Sequence, residues 1–169
     1  QVDILTHWDE FLGLFPQERK DIYFAEEYVK LYESQTEKAE CFVCREDDKV
    51  LLFPFLARIF EFNGKPYKDF ETAYGYGGPV YNCNDMEFVN QSLAAFKTYC
   101  SENNYVAGFV RFHPLLQNQV GFDTIGRLLP ERKTVAINLD QTMDEVWTNE
   151  IHSKNRNVIR KAEKAGCHF

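Results

Sequence analysis

The stretch Glu71-Thr-Ala-Tyr-Gly-Tyr-Gly-Gly-Pro-Val-Tyr81 constrains this chain more than any other. Gly75, Gly77 and Gly78 lift the Cβ restriction, so the backbone there can take positive φ and come close to another group. Pro79 stops regular structure from running through, and Tyr74, Tyr76 and Tyr81 set aromatic faces with polar tips around the bare backbone. Patterns that read mostly as strands precede this stretch; a helix and then more strand follow it. A glycine-aromatic loop between sheet and helix is a candidate ligand-facing loop. The plainer reading is a tight turn that needs glycine for its geometry alone, since function has to be argued from a whole site.

The surrounding chain can bury a core. Of its 169 residues 44% are apolar and 15% aromatic, enough for one complete domain, or one domain and part of another. No run approaches the roughly 18 apolar residues of a membrane span, and Gln1–Leu5 has none of the basic and apolar character of a secretory signal. Five cysteines without a framework spacing point to free thiols in a reducing cytoplasm. Cys41 and Cys44 have the spacing of a metal or redox pair, but positions three apart on a strand face opposite ways and no second pair completes a zinc site. They read as core cysteines, and no metal is expected.

Before the glycines, residues 2–5 read as a short strand, 8–15 and 21–33 as helices, and 40–45 as a strand. Residues 49–62 are almost continuously apolar around Pro54, which cannot donate to a ladder and so predicts an edge strand or a bulge. Asn63-Gly64 predicts a hairpin. After the glycines, Asn84 and Glu87 form a capping box that opens a helix over 85–100. Residues 105–113 form a strand, whose alternation puts Tyr105, Phe109, Arg111 and His113 on one face. Residues 134–139 read as a strand, Thr142 and Glu145 as a second capping box, Gly166 as a C-cap and 167–169 as the start of another strand. Strand, helix, helix, strand thus opens the chain and closes it. Two like domains in tandem would produce this, with residues 1–130 as the first and 131–169 as the opening of the second; so would a common α/β element order.

Charge is unevenly placed. The chain carries −7, but residues 151–169 carry +4 and the other 150 residues −11. Coating of nucleic acid by the whole surface is therefore excluded. On a helical wheel Ile151, Val158, Ile159, Ala162 and Ala165 share one side, with Lys154, Arg156, Arg160, Lys161 and Lys164 on the other. A basic strip of this kind is usually a solvated face, and it also suits a phosphate-bearing ligand, RNA or an anionic membrane surface.

Tyr74-Gly-Tyr-Gly-Gly-Pro79, Arg111-Phe-His-Pro-Leu115 and the segment from Lys154 to Gly166, with Pro54-Phe-Leu-Ala-Arg58 and Asp21-Ile-Tyr-Phe24, together resemble the FemAB-like branch of the GNAT acyltransferase fold. The resemblance covers nearly the whole chain in the right order. It implies an α+β fold with a mixed, mostly antiparallel sheet flanked by helices, and a second GNAT-like domain of which this chain holds only the opening elements. It implies acyl transfer to an amine acceptor such as a cell-wall precursor, from aminoacyl-tRNA or acyl-CoA, with little activity in this chain alone and no cofactor bound by it. A non-catalytic module that binds an acceptor or RNA is the alternative. Tyr74, Tyr76, Gly77 and Gly78 would wall a substrate; Arg111, Lys154, Arg156 and Arg160 would hold phosphates, with tRNA meeting the 154–164 face. His113 is a further candidate on the substrate side, but a histidine hydrogen-bonded at a strand end before Pro114 is the simpler role. The glycine loop with which many GNAT enzymes bind the CoA pyrophosphate is missing, and no catalytic residue is assigned.

Overall fold

The computed structural model describes residues 1–167. It divides into two compact units, residues 1–130 and the chain from Glu131 onward. The first holds β1 (Val2–Leu5), α1 (Asp9–Leu12), α2 (Glu26–Lys30), β2 (Glu37–Glu46), β3 (Lys49–Phe62), β4 (Lys65–Glu71), β5 (Val80–Tyr81), α3 (Met86–Glu102) and β6 (Tyr105–Phe109). The sheet runs β1-β2-β3-β4-β6, and β5 also pairs with β3. Every pairing is antiparallel except β4 with β6. This is the expected α+β class with a mixed, mostly antiparallel sheet between helices.

Over residues 50–57 the apolar run is continuous because β3 is covered there on both faces; 58–62 extend past that cover. Val50, Leu52 and Leu56, with Ala39, Cys41 and Val43 of β2, face a core closed by Trp8, Leu12, Phe15, Phe24 and Val29. Leu51, Phe53, Phe55 and Ala57, with Phe42, face the other core, closed by Phe88, Val89, Leu93 and Phe96 of α3. Cys41 and Cys44 accordingly lie on opposite faces, both free, and burial pushes the Cys41 thiol well up. The α3-side core is aromatic: Phe53 and Phe96 centroids are 4.6 Å apart, Phe42 and Phe96 5.1 Å, Phe55 and Phe70 5.2 Å.

Several local expectations are corrected. Pro54 sits in an interior strand, opposite Cys41 of β2, where β3's other edge changes partner: β5 ends at Leu52 and β4 begins at Leu56. A residue with no N–H fits that interval. The helix expected over 21–33 is a short 3₁₀ turn (Ile22–Phe24), an extended Ala25 and then α2. The break brings Phe24 and Val29 into one core, which a five-residue separation on a continuous helix would not do. Asp85, not Asn84, caps α3, accepting from the N–H groups of Glu87 and Phe88, because the Asn84 side chain is taken by Arg19. A register shift as Lys68 and Asp69 pair with Tyr105 and Ala107 moves Tyr105 off the face of Arg111 and His113. Its ring packs on Phe55 and Phe70 instead.

The second unit is helical. Residues 134–139 form no strand, and no strand is present among the unit's described residues; a lone strand has no ladder to satisfy its backbone. The Thr142–Glu145 capping box is present and opens α4 (Met143–Glu145), which continues as a wider π turn over Val146–Glu150. The helix breaks at Ile151 and restarts as α5 (Ser153–Lys164), closed by Gly166 at φ 84°. The strand start expected at 167–169 lies, for His168 and Phe169, outside the described residues; Cys167 is in no strand.

Candidate functional site

The change of partner along β3 opens an interval in the sheet, and residues 72–79 cross it. The chain beyond β6 runs beside them: Thr72 N–H donates to Phe109 O at 3.0 Å and Gly77 N–H to Arg111 O at 2.7 Å. Gly77 and Phe112 form a parallel bridge. The glycines answer local geometry. Gly75 and Gly78 have φ of 96° and 92°, a β-carbon on Gly75 would overlap the Tyr23 ring, and one on Gly77 would come within 2.9 Å of the Thr72 side chain.

Asn118 pins the loop from below. Its Nδ2 donates to Gly77 O (2.7 Å) and Pro79 O (2.9 Å), while its Oδ1 accepts from His113 N–H (2.9 Å). His113 is buried. Leu115 N–H donates to its Nδ1 at 3.3 Å, so in the neutral ring the proton sits on Nε2, 3.2 Å from Asp21 Oδ2. Both ring nitrogens are committed, and the histidine has no lone pair left for a substrate proton. It is the hydrogen-bonded residue before Pro114.

Around this frame the chain gathers five tyrosines from three segments. Tyr23 meets Tyr28 edge-on at 5.2 Å and Tyr76 at 5.4 Å, Tyr76 meets His113 at 5.6 Å, and Tyr32 lies 5.5 Å from Tyr28 and 6.5 Å from Tyr74. Tyr74 is 72% exposed; Tyr28 Oη donates to its carbonyl at 2.9 Å. The hydrogen bond with Tyr32, then burial, push the Tyr28 phenol up to about 12, so it stays a neutral donor. Arg111 stands at the edge of this wall. Its Nη1 donates to Thr72 O at 3.3 Å and lies 3.5 Å from Glu71 Oε2, and its guanidinium stacks on Phe109 at 4.8 Å. Such a surface can take a ligand by π faces, phenol hydroxyls and one half-shielded cation. His113, with both nitrogens engaged, is not a free base here. A cavity of about 230 Å³ lined by Arg19, Val80, Tyr81, Leu115 and Leu116 shares Asn118 with this corner and none of the five tyrosines.

Tyr74, Tyr76, Gly77, Gly78, Arg111 and His113 therefore meet at one corner of the first unit. Asp21, Tyr23, Tyr28, Tyr32, Thr72 and Asn118 belong to it and were not singled out from the sequence as site residues. Tyr28 and Tyr32 fall inside the stretch whose pattern predicts a helix over 21–33, and residues 115–122 carry no clear periodicity. An Asx-type residue within a few positions of a strand-ending His-Pro is the signal that points to Asn118.

Lys154, Arg156 and Arg160 lie in the second unit. Arg156 is folded back, its Nη1 donating to the carbonyls of Trp147 (3.0 Å), Thr148 (2.8 Å) and Ile151 (2.7 Å), where it closes the preceding helix. Arg160 lies over the Trp147 ring at 5.4 Å. Lys154, Arg160, Lys161 and Lys164 are exposed, and none has a carboxylate within 4 Å among the described residues. No three His, Cys, Asp or Glu side chains converge as metal ligands, and no helix is long and apolar enough to cross a membrane, among the described residues. Comparison of the chain with protein-family models, curated proteins and solved structures gives no match.

Proposed function

We propose that this chain supplies the acceptor side of an N-acyltransferase of the FemAB-like kind. The tyrosine-glycine corner receives an amine-bearing acceptor, and the acyl group comes from aminoacyl-tRNA or acyl-CoA. The observation that carries this reading is convergence. Asp21–Phe24, Tyr74–Pro79 and Arg111–Leu115, three of the motifs behind the resemblance, are joined across up to 92 positions in sequence. They meet through Asp21–His113, Tyr23–Tyr76 and Gly77–Arg111 contacts.

Transfer to an amine needs a proton acceptor and donors for the tetrahedral oxyanion. With both nitrogens of His113 and the Gly77 N–H already engaged, the corner's part is recognition: tyrosine faces and Arg111 hold the acceptor while its amine projects to chemistry supplied elsewhere. The segment from Glu131 is then the opening of a second GNAT-like domain, and free thiols fit a cytoplasmic setting. An amine-bearing peptidoglycan-precursor peptide, titrated calorimetrically into the 169-residue chain, is expected to bind saturably. Tyr74→Ala and Arg111→Met are expected to weaken it about tenfold each, and the chain alone to show little turnover with either donor. No saturable binding, or binding indifferent to both substitutions, overturns the reading.

A second reading has its own observation, the exposed cations of α5, which have no carboxylate partner among the described residues. If that face meets RNA, affinity for a generic single-stranded RNA falls steeply between about 50 and 200 mM salt and weakens in Arg160→Ala. Salt-insensitive or undetectable binding removes it.

A further inference from the structure

On the α3 side of the sheet, away from the tyrosine wall, the face runs on past buried Ala57 to exposed Ile59. A half-open cavity of about 260 Å³ lies there, lined by Gln35, Thr36, Lys38, Glu40, Ala57, Ile59 and Lys68. Lys38 and Glu40 come from β2, Lys68 from β4, and β3 lies between them. The charges around this cavity are of both signs and do not neutralise one another. Among the described residues Glu40 has no cation within 4 Å and Lys68 no carboxylate; Lys38 reaches only Glu33, at a loose 3.8 Å.

Tyr105 keeps the two signs apart. Its phenol donates to Glu40 Oε2 at 3.3 Å, and its ring face lies under Lys68 Nζ at 5.2 Å. Its own bulge-shifted position on β6 places it to touch both. Opposite charges facing one small cavity without pairing leave a complementary dipolar ligand to join them.

We propose that this cavity binds a small free α-amino acid. Its ammonium lies toward the unshared oxygen of Glu40, its carboxylate toward Lys68 and Lys38, with the hydroxyl of Thr36 and amide of Gln35 at the rim. The small apolar floor of Ala57 and Ile59 and the 260 Å³ volume set the size of side chain accepted. The site stands apart from the acceptor corner and does not rest on acyl transfer.

The test is a ¹H–¹⁵N NMR titration of the whole chain with L-alanine and, separately, with acetate and methylamine at matched ionic strength. Alanine is expected to shift amides at 35–40, 57–59 and 68 saturably. Acetate and methylamine, each carrying half the charge pattern, are expected to bind about tenfold more weakly or worse. Glu40→Gln and Lys68→Met each lower alanine affinity by a similar factor in a spectrum that stays dispersed, and Tyr74→Ala and Arg111→Met leave it unchanged. Acetate binding as tightly as alanine, alanine affinity unmoved by Glu40→Gln, or no saturable shift up to about 100 mM alanine would each overturn the proposal. None of these outcomes bears on the acceptor corner.

Discussion

The opening and the closing of this chain carry the same order of patterns, and they fold to different extents. Over residues 2–46 both strands are realised: β1 pairs with β2 from Val2 against Cys44 to Leu5 against Cys41, and the short, broken helical segment between them covers the core. Residues 134–139 alternate just as well, yet form no strand, and Val135 and Leu139 are 88% and 82% exposed. The helices that follow do form. A strand pattern is a capacity that needs a neighbour, because its hydrogen bonds are to another segment. A helix closes its own bonds and asks only for its ends. Here those ends are served by the Thr142–Glu145 box, by Arg156 on three carbonyls and by Gly166.

That contrast can be pressed, because each unit holds one tryptophan, Trp8 in the first and Trp147 in the second. The largest effect expected is in the first unit. Phe96→Ala removes the ring on which Phe42, Phe53, Phe55 and Phe70 converge, at a cost of about 3–5 kcal/mol. Urea unfolding followed by Trp8 fluorescence in a Trp147→Phe background measures it. A loss under 1 kcal/mol would mean the aromatic core is not what closes the sheet.

In the second unit effects are smaller and local. Thr142→Ala removes the capping box and is expected to cost about 1 kcal/mol of helix stability, read as rising amide exchange over 143–150 with the first unit unchanged. Arg156→Ala frees three carbonyls and is expected to fray the same segment, whereas Lys161→Ala, on the exposed side, is not. Equal effects of the two would mean that Arg156 is not a helix closer.

The smallest effect is acidic. Asp85 is held below its usual 3.8 by the Lys49 ion pair first, then by the Phe88 and Glu87 N–H groups, burial opposing only in part. Its folded pKa is depressed, so its contribution is present above about pH 4 and is lost as pH falls through the depressed value. Asp85→Asn keeps the cap and flattens that acid limb; an unchanged limb would put the acid sensitivity on other carboxylates.

What was legible in the sequence follows the same division between local and borrowed structure. β3's bounds, the Asn63-Gly64 hairpin, the opposed Cys41 and Cys44 and the second capping box rest on periodicity and turn chemistry that a short window contains. Pro54 points to an edge because an interior strand that changes neighbours partway looks, in sequence, like one. Tyr105 sits on the other face from the one its alternation predicts because a one-residue register shift leaves no mark on an alternating pattern. At the corner, the glycines, Tyr76 and Arg111 stood out by composition and spacing. Asn118, Thr72 and Asp21 did not, since each acts through a partner at least five and up to 92 positions away. Arg156 counted as one of a basic strip, and only the break at Ile151 turns its guanidinium inward.

The tyrosine-glycine corner is the part of the molecule whose role matters most. NMR mapping of an amine-bearing peptidoglycan-precursor peptide titrated into the chain tests it most directly. Shifts concentrated at 21–32, 72–79 and 111–113 and saturating together are the predicted result. Shifts that avoid those segments, or none at all at millimolar peptide, would contradict it.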